Sequence, residues 1–189
     1  MQTEFESILT AAQAGADWAW RKIYDDLHGT LVGYFRVQGA GDPEALASDV
    51  LLRLARSISG FSGSYDRFRS WVFTVAHNRL IDDRRQKGRR VTQVAADANH
   101  EPVGGDVETE AMQQISNEWV RSALDILTPD QREVIGLRIL GGFTIGQIAE
   151  ITHKRPGAVK ATQRRGLKRI AEWHNDHPYL SDDTERLPE

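Results

Sequence analysis

The chain has 189 residues, 40% of them apolar and 27% charged, with five tryptophans and a formal net charge of −3; this supports one medium domain or two small, tightly packed ones with polar surfaces. Cysteine is absent, which excludes disulfides and thiolate metal sites and fits a cytoplasmic setting. Met1–Glu6 carries no basic leader, and no apolar run nears the roughly 18 residues needed to span a bilayer, so no membrane segment is expected.

Along the chain, Phe5 to Val37 has apolar residues at helical spacing and is punctuated by Gly39-Ala40-Gly41. Asp42 is placed as an N-cap with Pro43 at the first helical position, and Leu46, Val50, Leu54 and Ile58 recur every fourth residue on one stripe. The polar turn Ser62-Gly63-Ser64-Tyr65-Asp66 leads into a helical pattern of Phe68, Trp71, Val72, Val75, Ala76 and Leu80, through Arg85. From about Val94 periodicity disappears, Pro102-Val103-Gly104-Gly105 intervenes, and Asp97, Glu101, Asp106, Glu108 and Glu110 are unaccompanied by Lys or Arg. That composition reads as an acidic flexible linker over 94–111, separating a first domain, 1–93, from a second, 112–173.

After the linker, Ile115, Trp119, Ala123 and Ile126 mark a helix. Thr128 with Gln131, and Thr144 with Gln147, are spaced as capping boxes, the first followed by Pro129 and the second by Ile145, Ile148, Ala149 and Ile151. Gly141-Gly142 separates the two helices they open. Pro156 opens a last helix through Trp173, with Arg155 a poor cap. The polar segment 174–189 reads as a disordered tail. No strand-like alternation competes, so the expected fold class is all-α.

Basic residues gather in two stretches on either side of the linker: Arg67, Arg69, Arg79, Arg84, Arg85, Lys87, Arg89, Arg90, and then Lys154, Arg155, Lys160, Arg164, Arg165, Lys168, Arg169. The second stretch lies in helix-turn-helix grammar, where Lys160, Arg164 and Lys168 at i, i+4 and i+8, with Ala161 and Arg165 beside them, face a major groove while Val159, Leu167 and Ile170 pack inward. In the first, Phe61, Tyr65, Phe68, Trp71 and Phe73 interleave with arginines, a pattern that suits unpaired bases and their phosphates. Phe68, Trp71 and Val75 read better as core; Phe61 and Tyr65, flanking the Ser/Gly loop, are freer. The Asn78 amide is able to pair with a base edge. His174 and His177 lack a third ligand at metal-site spacing, and Gly39-Ala40-Gly41 lacks the strand and lysine of a phosphate loop; no catalytic residue, metal or cofactor is expected.

These segments resemble a known family. Phe68-Arg69-Ser70-Trp71-Val72-Phe73-Thr74-Val75-Ala76-His77-Asn78-Arg79-Leu80-Ile81-Asp82 is very similar to the region 2 signature of extracytoplasmic-function sigma factors. Leu127-Thr128-Pro129-Asp130-Gln131-Arg132-Glu133-Val134-Ile135, with Ile148-Ala149-Glu150 and Gly157-Ala158-Val159-Lys160, looks like their region 4. The resemblance spans roughly residues 5 to 173.

It implies two helical domains, sigma region 2 and sigma region 4, in a subunit that brings core RNA polymerase to promoter DNA. The helix over Asp42 to Arg56 then docks on the clamp coiled coil of the polymerase largest subunit through Asp49, Leu52 and Arg53, although Ala45, Ser48 and Leu51 depart from the usual acidic, Gln and Phe residues. The loop Phe61, Ser62, Gly63, Ser64, Tyr65 captures a base flipped from the non-template strand of the −10 element, with Asn78, Arg79, Arg84 and Arg85 alongside. Lys160, Ala161, Arg164 and Arg165 read the −35 element, flanked by Lys154, Arg155 and Lys168. Thr162 stands where Arg is frequent, and Lys154 and Arg155 replace residues usually apolar and Ser-like. The resemblance also implies a contact with the flap of the second-largest subunit, allows an anti-sigma factor as a partner, and places the acidic linker in the RNA channel. The competing expectation is a stand-alone helix-turn-helix regulator that grips duplex DNA unaided; net charge −3 and the aromatic-rich basic helix favour the polymerase subunit.

Overall fold

A computed structural model describes residues 2–93 and 120–177, with side chains over 4–87 and 120–177. The expected linker over 94–111, the start of the next helix at Ile115 and Trp119, and segment 178–189 lie outside the described residues.

Helix α1 (Gln2–Gln13) turns at Gly15, whose φ of +82 is open to glycine at little cost, into α2 (Asp17–Val37). Ala19, Ile23, Leu27 and Leu31 recur at fourfold spacing and are buried, so α2 turns one continuous apolar face inward. Helix α3 (Pro43–Ser57) starts where expected: the Asp42 carboxylate accepts from the Ala45 amide at 2.9 Å, and Pro43 occupies the first turn. Leu46, Val50 and Leu54 are its buried stripe, and a 3-10 turn, Ile58–Gly60, completes it. Asp42→Ala should cost about 0.5–2 kcal/mol by orphaning that amide; the urea midpoint followed by circular dichroism measures it.

Helix α4 (Tyr65–Gln93) is longer than the apolar pattern predicts. It begins at Tyr65 because Ser64 caps it: the Ser64 carbonyl accepts from Phe68 N at 2.9 Å, and its hydroxyl takes a long 3.4 Å bond from Arg67 N. It continues beyond Arg85 with Gln86, Lys87, Arg89 and Arg90 as good helix formers on either side of Gly88, and with a Lys87–Asp83 pair at 2.8 Å along its surface.

In the second half, residues 120–125 are helical. Both capping boxes form, opening α5 (Pro129–Ile139) and α6 (Ile145–Thr152). Gly141 follows α5 so closely that a Cβ there would lie 2.4 Å from the Phe143 ring, which explains the glycine. His153, left-handed at φ 55, ends α6, and α7 (Pro156–Asp176) follows with no side-chain cap at Arg155. The last helix thus includes His174 to Asp176, assigned above to the tail.

The inward stripe of α7 is Val159, Thr162 and Gly166, continued by half-buried Ile170 and Trp173; Leu167, expected inside, is 48% exposed. Gly166 is the reason. It approaches α5 so closely that a Cβ would lie 2.6 Å from Ile135 Cδ1, and Leu167, one residue or about 100° around the helix, is turned outward.

The two halves share a continuous apolar core. Helix α4 packs on α6 and α2 on α5, with the Phe73 and Phe143 rings edge-to-face at 5.0 Å, and Val37 and Gln38 against Gly136.

Candidate nucleic-acid interface

On the first half, the loop ahead of α4 is held from several sides. Gln13 Nε2 donates to the carbonyls of Ile58 and Phe61 at 2.9 and 2.8 Å. Phe61 stacks on Trp71 at 5.2 Å and meets Phe68 edge-on at 5.4 Å. Tyr65 donates to Asp26 at 2.6 Å and packs its ring on Phe5 at 5.3 Å; burial, with the hydrogen bond to the Asp26 carboxylate and its negative charge, pushes the phenol up to about 12. Phe61 and Tyr65 are therefore not the freer aromatics of the sequence reading. They are half-buried and brace the loop, and the exposed part is Ser62 and Gly63, the latter at φ +148.

A cleft of about 480 Å³ opens beside this loop, between Phe61, Ser62, Arg67, Ser70, Trp71 and Thr74 on one side and Gln147 and Glu150 of α6 on the other. Arg67, Trp71, Thr74, Asn78 and Arg85 fall on one stripe of α4 at intervals of four, three, four and seven, so the cleft leads along the helix to the exposed Asn78 and Arg85. Sequence reasoning did not assign Arg67, Ser70 or Thr74 to the site, although this periodicity carries them. Two expected members point elsewhere: Arg79 Nε donates to Asp49 at 2.9 Å, and Arg84 donates to the Gln38 carbonyl and side chain at 3.3 and 3.1 Å.

On the second half, α7 brings Lys160, Arg164, Arg165 and Lys168 to the exposed side of a helix-turn-helix, with Ala161 half-buried among them and Arg155 exposed at its start. Lys154 is instead tied to Asp130 at 2.8 Å, and Lys168 pairs with Glu172 one turn on at 3.4 Å. Thr162 is buried, and its hydroxyl accepts from Arg165 at 3.3 Å; the position where Arg is frequent is here a packing position. On α3, Leu52 is 57% exposed beside exposed Arg53, while Asp49 carries the ion pair with Arg79.

Between the halves lies a buried polar cluster. Glu133 of α5, its side chain 3% exposed, accepts from the Tyr34 hydroxyl at 2.8 Å and sits 2.6 Å from His77 Nδ1. Burial alone would push the Glu133 carboxyl up, but the His77 bond and charge, the Tyr34 bond and the nearby Arg84 outweigh it, holding the group below its ordinary value near 4.5. Burial and the same carboxylate raise Tyr34 well above 10.0.

The signs follow by linkage. The Glu133 contribution is complete above about pH 4.5 and is lost as pH falls through the lowered value; the Tyr34 contribution is complete below pH 10.0 and is lost as pH rises toward the raised one. Through these two groups stability should fall below about pH 4.5 and above pH 10.0, as urea midpoints across pH will show; Glu133→Gln should flatten the acid limb.

The description Sigma-70 region 2 matches residues 18–90, and Sigma-70, region 4 matches residues 117–170. The chain is 31% identical over 169 residues to the ECF RNA polymerase sigma factor BldN of Streptomyces coelicolor, covering 87% of this chain but 63% of that longer protein. It is 30% identical over 158 residues to the ECF RNA polymerase sigma factor SigX of Bacillus subtilis, covering 77% and 78% of the two chains. In fold it is similar to the sigma factor RpoE in its complex with the anti-sigma factor NepR from Bartonella quintana, with a TM-score of 0.57, 23% identity, and 90% and 93% of the chains covered. Helices, order of regions and sequence likeness agree: this chain belongs to the extracytoplasmic-function family of sigma-70 RNA polymerase sigma factors.

Proposed function

We propose that this chain is an alternative sigma factor that binds core RNA polymerase and directs promoter recognition, DNA melting and the start of transcription, acting in the cytoplasm without enzymatic chemistry of its own. The observation that carries the reading is the presence, in one chain and in the family's order, of an α4 stripe leading from an aromatic-walled cleft to Asn78 and a helix-turn-helix with an exposed cationic face. The first suits an unpaired base and its neighbours. The second suits duplex DNA.

In this reading the loop at Ser62 and Gly63, the cleft, Asn78 and Arg85 engage the non-template strand of the −10 element, and Arg155, Lys160, Ala161, Arg164, Arg165 and Lys168 engage the −35 element. Exposed Leu52 with Arg53 on α3 is the docking point for the largest-subunit clamp: an apolar side chain left 57% in water gains by burial against a partner helix. The second-largest-subunit flap receives the second half. An anti-sigma factor is a further partner, supported by a fold shared with a sigma factor whose structure was solved with one.

The reading is tested with holoenzyme on a promoter that the chain itself selects. Asn78→Ala should reduce open-complex formation by about 10- to 100-fold, on the scale of one bidentate base contact, with core binding unchanged. Equal open-complex formation by the variant would remove Asn78 from the site. Tight, salt-sensitive duplex binding without core polymerase would favour the stand-alone regulator.

A further inference from the structure

We propose that Gln13, at the end of α1, is a positioning residue for base capture: its side-chain amide sets the corner from which Ser62 and Gly63 reach the unpaired −10 base. The proposal rests on assigning that loop to the non-template strand. Gln13 precedes the residues matched by the region 2 description, 18–90, so the family likeness does not assign it.

The amide spans a change of chain direction. Ile58–Gly60 form a 3-10 turn, and Phe61 leaves it extended, at φ −83 and ψ 138. Gln13 Nε2 donates to the Ile58 carbonyl at the start of that turn and to the Phe61 carbonyl just past it, at 2.9 and 2.8 Å. Both hydrogens of the amide are thereby used on two acceptors three residues apart, and because both partners are carbonyls the nitrogen, not the oxygen, must face them. The Ile58 carbonyl also accepts from Phe61 N at 3.0 Å, so backbone and side chain lock the same corner. Two residues on, Gly63 at φ +148 turns the exposed tip of the loop.

The anchor is itself fixed. Helix α1 buries Phe5, Leu9 and Ala12, the Trp20 indole of α2 donates to the Ala12 carbonyl at 3.1 Å, and Ala16 N donates to the Ala11 carbonyl at 2.9 Å. Gln13 is thus presented by a seated helix end. Yet it is an exposed residue, so its side chain adds little to the core. A surface amide that places both N–H groups on loop carbonyls 45 and 48 residues away shapes the loop more than it holds the fold. The far end of the loop is braced by Phe61 on Trp71 and Tyr65 on Asp26. Fixed at both ends, the loop meets a flipped base with less ordering left to lose, and more of the contact free energy offsets extrusion of that base.

The test uses holoenzyme and single-stranded non-template −10 oligonucleotides from a promoter that the chain selects, intact or with an abasic site scanned through each position. For the wild type, one abasic position should lower affinity far more than its neighbours, and that position marks the captured base. Gln13→Met keeps the length and removes both donors; Gln13→Glu keeps the shape and sets a carboxylate against two carbonyl oxygens. Each should reduce the intact-to-abasic affinity ratio at that position by about 3- to 10-fold, the scale of a partly exposed hydrogen bond or two. Core binding, duplex −35 binding and the ratios at other positions should stay as in the wild type. Gln13→Glu also puts negative charge at a helix C-terminus, so Gln13→Met carries the test if the Glu variant is destabilised. A purely structural role lowers all affinities together, or only the urea midpoint, and leaves the ratio at the captured base unchanged. That result, in variants shown to be folded by circular dichroism, would overturn the proposal and remove Gln13 alone. A wild type with no such position would instead remove the assignment of the loop to the −10 base, and the positioning role with it.

Discussion

Replacing Glu133 with Ala should destabilise the folded chain by about 3–5 kcal/mol, because it strips the shared acceptor from two buried groups at once. Tyr34 is fully buried and loses the acceptor of its hydroxyl; His77, with a side chain 10% exposed, loses a 2.6 Å contact. Neither regains water where it stands, so each is left with its desolvation cost and no compensating bond. Glu133→Gln should cost clearly less, since an amide oxygen still accepts from Tyr34. The ordering Ala worse than Gln is the diagnostic result, read from urea midpoints at neutral pH; equal losses would mean that the carboxylate charge, which both variants remove, and not the acceptor oxygen, matters at this site.

Phe73→Ala should cost about 3–5 kcal/mol as well, by a different cause. Phe73 is fully buried, edge-on to Tyr34 at 5.6 Å and to Phe143 at 5.0 Å, and so it fills the junction of α2, α4 and the α5–α6 turn. Removing the ring leaves a void walled by both halves of the molecule. Phe73→Leu should recover most of the loss, whereas it would do nothing for a residue whose role was to contact DNA. Thermal unfolding of the two variants measures the difference, and a Phe73→Ala protein as stable as the wild type would contradict the shared core.

Much of the fold was legible because its determinants are local. Asp42, Thr128 and Thr144 announce their helices through acceptors at fixed offsets from the amides they cap, and the fourfold recurrence on α2 and α3 needs no partner to be recognised. The cationic face of α7 was legible for the same reason, as Lys160, Arg164 and Lys168 share a side by periodicity alone. The seam was not. Tyr34 and Glu133 are 99 residues apart, and His77 and Glu133 are 56 apart; a glutamate between Arg132 and Val134 reads as surface charge until another element buries it. Leu167 was misplaced because periodicity weighs Gly166 as neutral, when its missing side chain is what lets α7 close on α5. Phe61 and Tyr65 were read as free because they flank a Ser/Gly loop, but their partners, Trp71, Phe5 and Asp26, come from elsewhere in the chain. Of the arginines expected at DNA, Arg79 and Arg84 were placed there by the family resemblance, which does not reveal that Asp49 and Gln38 already hold them.

The most direct test of the sigma-factor assignment is in vitro transcription from a genomic fragment library by core RNA polymerase, with and without this chain. The account predicts a defined set of start sites that appear only when the chain is present and that share upstream sequence at the −10 and −35 positions. No start sites above core polymerase alone, under conditions in which a housekeeping sigma factor works, would contradict it.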